Sequence, residues 1–171
     1  MTEPDLTPSQ QAMMKTLADH AEAEIIDRDL DAALATMTKN PYLFVSPTLA
    51  GAEGRDAVRD FYGHLMTQLP KDLKFTLVTR TIGTDRIVSE LILTFTHDVA
   101  IDWLLPGIPP TAKQVELPII VIYAFKGDKI DGERLYWDHA SLLTQVGLLG
   151  AGDLPITTAS VRRLRELSAR S

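Results

Sequence analysis

The stretch Gly132–Gly147, GERLYWDHASLLTQVG, changes its hydrophobic period in the middle. Its first half alternates as a β-strand does, and its second half has the spacing of an α-helix. Asp138 lies at the junction of the two halves. A carboxylate between a strand and a helix is either the N-cap of the helix or a catalytic group. The residues around this stretch bear on both interpretations.

Helical patterns come before this stretch and strand patterns lead up to it. Thr7 and Pro8 predict a helix start, Asp29 predicts the cap of a second helix, and Pro41 predicts a stop. A short strand over Tyr42–Val45 and a loop precede a third amphipathic helix. Four long strands are then predicted, at Leu73–Ile82, Arg86–Asp98, Glu116–Phe125 and Ile130–Asp138.

Helices followed by sequentially paired strands indicate an α+β fold. We expect a curved antiparallel sheet wrapped around the N-terminal helices, which gives a cone whose open end is a small-molecule pocket. Residues 8–149 are predicted to form this cone domain, and residues 150–171 a connector and an extra C-terminal helix. That helix carries four arginines and one glutamate. Its basic side is either solvated or docked on an acidic patch.

Composition excludes several classes of protein. The chain has 171 residues, 45% of them hydrophobic, and a net charge of −6, which argues against a general nucleic-acid binder. No apolar run approaches the roughly 20 residues that span a bilayer. The N-terminus has neither the basic region nor the apolar run of a signal peptide, so a cytoplasmic location is predicted. The absence of cysteine excludes disulfides, thiolate metal sites and a cysteine nucleophile.

Two residues can carry acid/base chemistry, because each ends a long strand on a face that we expect to look inward. His97 ends the strand Arg86–Asp98, and Asp138 ends the last strand on the same face as Arg134 and Tyr136. A carboxylate in an apolar pocket has a raised pKa and becomes a better base near neutral pH. The alternatives without catalysis are that Asp138 caps the following helix and that His97 has a structural role. Adjacent strand residues point to opposite faces, so His97 and Asp138 alone do not predict a metal site.

Four segments give the sequence a resemblance to a known family. They are Phe95-Thr96-His97, Gly107–Lys113, Gly132–Asp138 and Gln145-Val146-Gly147. With these segments the chain resembles the SnoaL-like polyketide cyclases. That family lies within the nuclear transport factor 2-like superfamily, whose cystatin-like fold is shared with ketosteroid isomerases. The resemblance implies a cone-shaped domain with a deep apolar cavity, frequently a homodimer, and chemistry without a cofactor. It also implies that Asp138 is the acid/base group and that His97 lies close by.

The first hypothesis is therefore a cofactor-independent isomerase or cyclase that acts on a hydrophobic carbonyl compound. Asp138 is the predicted base and His97 its partner, and a second group of residues is predicted to bind the substrate: Tyr136, Trp103, Phe95 and Arg134. The second hypothesis is a non-catalytic ligand-binding or dimerising domain. The third is a hydrolase that adds water to an epoxide, with Arg134 between two acids. No metal, nucleic-acid partner or membrane partner is expected in any of them.

Overall fold

The computed structural model describes residues 6–150, 152, 155 and 157–169, and it confirms the predicted α+β class. The helices are α1 (Pro8–Ala21), α2 (Leu30–Ala35), α3 (Arg55–Thr67), α4 (His139–Gln145) and α5 (Ser160–Ser168). The strands are β1 (Met37–Val45), β2 (Ala50–Glu53), β3 (Lys74–Ile82), β4 (Arg86–Thr96), β5 (Gln114–Lys126) and β6 (Lys129–Trp137). None of the helices in this described part of the chain is long and apolar enough to cross a bilayer.

Both predicted helix caps are present. Thr7 and Gln10 form a capping box, in which each side chain bonds the backbone N–H of the other, and Pro8 occupies the first turn of α1. The Asp29 carboxylate accepts a 3.0 Å hydrogen bond from the amide of Ala32. These local bonds satisfy amides that have no partner inside their helices. The starts of α1 and α2 can therefore be predicted from their capping residues.

A π-helical segment, Glu22–Asp27, links α1 to α2. It ends at Arg28, whose φ of 55° is left-handed, and the amide of Asp29 donates back to the carbonyl of Ala23 at 2.8 Å. π-Helical turns are rare and frequently occur at functional sites.

The sheet has the strand order β2-β1-β6-β5-β4-β3. The sequential antiparallel pairing of β3, β4, β5 and β6 agrees with the prediction. The structure adds two features: β1 pairs in parallel with β6, and β2 forms within the predicted loop. Pro41 does not stop a helix, because α2 already ends at Ala35 and Pro41 lies inside β1.

A bulge at Asp131 determines which face of β6 looks inward. Ala124 pairs with Gly132, whereas the next residue, Phe125, pairs with Ile130, so Asp131 has no opposite partner. One extra residue in a strand turns every following side chain to the other face.

The prediction that Arg134, Tyr136 and Asp138 face inward is therefore wrong. Glu133 and Leu135 of β6 line the inner cavity instead. The corresponding prediction for β4 is correct, because its odd-numbered residues are buried. They are Ile87, Ser89, Leu91, Leu93 and Phe95, followed by His97.

Helix α5 docks on β5, an inner strand of the sheet, through its basic side. The guanidinium of Arg165 makes hydrogen bonds of 2.9 and 3.3 Å to the Glu116 carboxylate on β5, and Val161 is buried. This contact supports docking within the chain. The division at residue 149 and the homodimer stay predictions.

Gly132 allows the ring of Tyr42 to lie directly over the neighbouring strand. A Cβ atom at Gly132 would overlap this ring. We expect Gly132→Ala to lower the free energy of unfolding by about 1–3 kcal/mol, because overpacking forces the neighbour out of place. Denaturant unfolding of Gly132→Ala in the wild-type and Tyr42→Ala backgrounds measures the effect. An equal penalty in both backgrounds would show that the ring is not its cause.

Candidate functional site

A cavity of about 270 Å³ lies between α1, the π-helical segment, α3 and the inner face of the sheet. Its wall is mostly apolar, with five polar or ionisable side chains. The apolar wall includes Leu17, Ile25, Leu43, Val45, Leu65, Leu69, Phe75, Leu77, Leu91, Trp103, Val121 and Leu135. The polar side chains are His20, Glu24, Arg80, Tyr123 and Glu133. A few polar groups on a concave apolar wall are typical of a small-molecule site.

His20 is a doubly protonated imidazolium at this wall. Its Nδ1 lies 2.6 Å from the Thr36 hydroxyl, which itself donates to the Ala33 carbonyl at 2.6 Å, so Nδ1–H is the donor to Thr36. Its Nε2 lies 2.9 Å from Oε1 of Glu133. Burial alone would lower the pKa of His20, but the charge and hydrogen bond of Glu133, with those of Glu24, raise it to about 10.

Glu133 receives two donors at one carboxylate oxygen. The hydroxyl of Tyr62 donates to Oε1 at 2.9 Å, and the His20 Nε2–H reaches the same atom. Glu133 is 4% exposed and Tyr62 is fully buried. Burial, followed by the charges of Glu133 and Glu24, raises the pKa of Tyr62, so its hydroxyl stays a donor. The three side chains form one fixed charge pair with a supporting hydrogen bond.

Glu24 is the less constrained carboxylate of the cavity. It lies in the π-helical segment, its side chain is 16% exposed, and its partner is Nε2 of His20 at 3.5 Å. Burial raises the pKa of Glu24; the hydrogen bond from His20 opposes this rise, and the charge of Glu133 adds to it. A carboxyl group with a raised pKa can accept and return a proton near neutral pH.

Tyr123 supplies a free hydroxyl to the same cavity. It lies on β5 directly opposite Glu133, and its hydroxyl has no hydrogen-bond partner within the described part of the chain. Burial, followed by the charges of Glu133 and Glu24, raises the pKa of Tyr123 well above 10. The hydroxyl is therefore available to donate to a ligand oxygen.

The same cluster has the composition of a cation site. One ligand atom each from His20, Glu24 and Glu133 lies within 4.8 Å of the others. Two carboxylates and an imidazole suit a divalent transition metal. The proton on Nε2 of His20 occupies the position that such an ion would need, so imidazolium and metal exclude each other. The expected absence of a metal stays a prediction.

Asp138 and His97, the two acid/base residues predicted from the sequence, do not line the cavity. The exposed Asp138 side chain caps α4 and accepts a 3.0 Å hydrogen bond from the amide of Ser141. His97 is fully buried, with Nδ1 3.1 Å from the Thr111 hydroxyl, and burial lowers its pKa. Their catalytic role stays a prediction, and the structure gives both residues partners elsewhere.

Of the four residues predicted to bind substrate, Trp103 lines the cavity. Its ring packs edge-to-face against Trp137, with centroids 6.1 Å apart. Phe95 is 3% exposed in the core, and Tyr136 is 36% exposed. Arg134 pairs with Ile122 on the outer face, after the bulge, and its Nε is buried without a hydrogen-bond partner among the described residues.

The polar cluster of the cavity was missed in the sequence, although α1 carries a signal for it. Met13, Leu17, His20 and Glu24 recur at spacings of four, three and four residues, which place them on one face of a helix. Two ionisable residues therefore continue the buried apolar stripe. Buried ionisable side chains are rare unless paired, so this position predicts a partner from the sheet.

Comparison with known proteins gives the same fold. The SnoaL-like polyketide cyclase described from Jannaschia sp. CCS1 has 19% identity, a TM-score of 0.73, and covers 86% of this chain and 100% of its own. A ketosteroid isomerase-like protein from Catenulispora acidiphila DSM 44928 has 16% identity and a TM-score of 0.60, with coverages of 84% and 96%.

A third structure, SalBIII, is described as an epoxide hydrolase/cyclase-like enzyme of pyran ring formation in salinomycin. It has 17% identity and a TM-score of 0.58, with coverages of 77% and 95%. No curated protein matches the chain by sequence. The model of the SnoaL-like domain family matches residues 17–132. With the sheet order and the cavity, this match shows that the chain belongs to the SnoaL-like domain family.

Proposed function

We propose that the protein is a cofactor-independent enzyme of the isomerase or cyclase type, and that it acts on a hydrophobic carbonyl compound in the cavity. The observation that carries this proposal is the carboxyl group of Glu24, which shares a mostly apolar cavity with the free hydroxyl of Tyr123. Glu24 is the base, and Tyr123 donates a hydrogen bond to the carbonyl oxygen.

The reaction begins with transfer of a proton from the carbon next to the carbonyl to Glu24. The electrons of the C–H bond form a C=C bond, and the carbonyl becomes an enolate oxygen that accepts the hydrogen bond of Tyr123. Return of the proton to another carbon gives an isomer. Attack of the enolate carbon on a second carbonyl forms a C–C bond, and Glu24 then protonates the new alkoxide, which gives a cyclic aldol.

His20, Glu133 and Tyr62 stabilise the site around Glu24. The His20 imidazolium lies 3.5 Å from the Glu24 carboxylate and 2.9 Å from Glu133, so it stabilises the charged form of both acids. Without it, the charge of Glu133 would act on Glu24 unopposed, and a like charge disfavours the ionised form of Glu24. The triad therefore sets the basicity of Glu24 without touching the reacting carbon.

The comparisons support this class of chemistry through two neighbours, one described as a polyketide cyclase and the other as epoxide hydrolase/cyclase-like. The competing assignment uses Asp138 as base and His97 as its partner. It has less support, because neither side chain lines the cavity.

Hydrogen exchange on a panel of hydrophobic ketones tests the proposal. In D₂O, wild-type protein is expected to replace the hydrogens next to the carbonyl with deuterium faster than buffer does, which ¹H NMR follows directly. Heat-inactivated protein is the control for general base catalysis by buffer and surface groups. Ketones that bind without exchange would contradict the proposal and leave a binding domain.

A separate experiment tests the hypothesis that the protein is a hydrolase that adds water to an epoxide. Two cavity carboxylates, Glu24 and Glu133, can hold a water molecule, as an epoxide hydrolase requires. Reaction of hydrophobic epoxides in H₂¹⁸O, with mass analysis of the products, detects solvent oxygen. Its incorporation, without hydrogen exchange on ketones, would replace the proposed function by hydrolysis.

A further inference from the structure

Arg80 places a second polar group in the cavity wall, on β3 and three strands from Glu133 of β6. It is a half-buried residue of β3, and its Nε donates a 3.0 Å hydrogen bond to the hydroxyl of Ser89 on β4. Ser89 is itself fully buried. The buried Ser89 hydroxyl thus accepts from Nε, and the two terminal nitrogens of the guanidinium remain available to donate to a ligand.

The charge of Arg80 is not neutralised by a side chain of the described residues. No carboxylate among them lies within 4.0 Å of its guanidinium. The carboxylate of Glu133 is already paired with the His20 imidazolium, so it does not neutralise Arg80. A guanidinium in an apolar wall gains most from a planar anion that it can bind with two parallel hydrogen bonds.

The two polar regions are separated along the sheet. Arg80 lies on β3 and Glu133 on β6, three strands further in the order β6-β5-β4-β3. At about 4.8 Å between neighbouring strands, the separation is roughly 14 Å along the sheet. Between these two strands the inner face carries the apolar side chains of Leu91 and Val121 and the hydroxyl of Tyr123. Burial raises the pKa of Tyr123 and the charge of Arg80 lowers it, so Tyr123 lies within the electrostatic reach of both regions.

We propose that the ligand of this cavity is a hydrophobic acid, whose carboxylate binds Arg80 while its carbonyl end reaches the cluster of Glu24, His20 and Tyr123. The position of the carbonyl end depends on the proposed function. The position of the carboxylate end depends only on the observed geometry of Arg80 and Ser89. Arg80 selects the ligand and sets its orientation, so that the reacting carbon lies at the far end of the cavity.

A matched pair of probes tests the acid subsite without any turnover. Calorimetry with decanoate and with its primary amide, decanamide, compares the same apolar chain with and without charge. Wild type is expected to bind decanoate more tightly. Arg80→Gln is expected to weaken decanoate binding by about 10- to 100-fold, the size of a lost hydrogen-bonded charge contact, and to leave decanamide binding nearly unchanged.

Two further variants keep the result interpretable. Arg86→Gln removes an exposed arginine of β4 and is expected to bind both probes as wild type does. Arg80→Lys keeps the charge but loses the paired donors, so an intermediate affinity for decanoate is expected. Equal binding of acid and amide to wild type, an equal loss of both in Arg80→Gln, or binding of neither probe would overturn the proposal. A preserved acid preference without ketone exchange would overturn the proposed function alone.

Discussion

Glu24→Gln is expected to slow hydrogen exchange on a bound ketone by about 10²- to 10⁴-fold, the usual contribution of a positioned general base. The amide cannot accept the proton, but its oxygen can still accept the hydrogen bond of His20. The fold and ligand affinity should therefore be kept, while turnover is lost. Exchange rates by NMR and affinities by calorimetry separate the two quantities.

The matched control for this substitution is Glu22→Gln. Glu22 lies in the same π-helical segment and has the same side chain, but it is exposed and does not line the cavity. It is expected to exchange ketone hydrogens at the wild-type rate. Equal rates for Glu24→Gln and wild type would remove Glu24 from the chemistry.

Glu133→Gln is expected to lower the free energy of unfolding by about 3 kcal/mol, the low end of the cost of breaking a buried ion pair, because it removes the nearer of the two carboxylates beside the His20 imidazolium and leaves Glu24 at 3.5 Å as the remaining counter-charge. The residues involved are 1% and 4% exposed, so water cannot replace the lost partner. Denaturant unfolding near neutral pH measures the loss. Glu166→Gln breaks the exposed pair with Arg163 and is the control, with an expected change below about 1 kcal/mol.

The same pair makes stability depend on pH in a defined direction. The pKa of His20 is about 10 in the folded chain, against 6.5 for a histidine in an unstructured peptide, so folding takes up a proton between these values. The stabilisation is complete below pH 6.5 and is lost as pH rises through about 10. Glu133→Gln should reduce this slope. Equal slopes in wild type and variant would contradict the charged state assigned to His20.

The elements that were predicted correctly depend on local chemistry. The helix start at Thr7 and Pro8, the cap at Asp29 and the long apolar run of β5 depend on neighbours in the sequence, so their patterns are visible without a structure. The inner face of β4 was also predicted correctly, because no bulge interrupts its pairing with β5.

The missed features depend on distant partners. The bulge at Asp131 reverses the faces of β6, and nothing in the alternation before it indicates this extra residue. The error brought Asp138 into the predicted site and left Glu133 out of it. His20 has a partner 113 positions away in the chain, so its charge pair is defined by the fold and not by local spacing.

The most direct test of the central claim compares ketone hydrogen exchange in Glu24→Gln and Asp138→Asn. Asparagine caps a helix as well as aspartate does, so Asp138→Asn keeps the start of α4 while removing its carboxylate. The claim that the proton is transferred inside the cavity predicts loss of exchange in Glu24→Gln and a rate close to wild type in Asp138→Asn. Loss of exchange in Asp138→Asn with a rate close to wild type in Glu24→Gln would contradict the claim and would make Asp138, after the end of β6, the base.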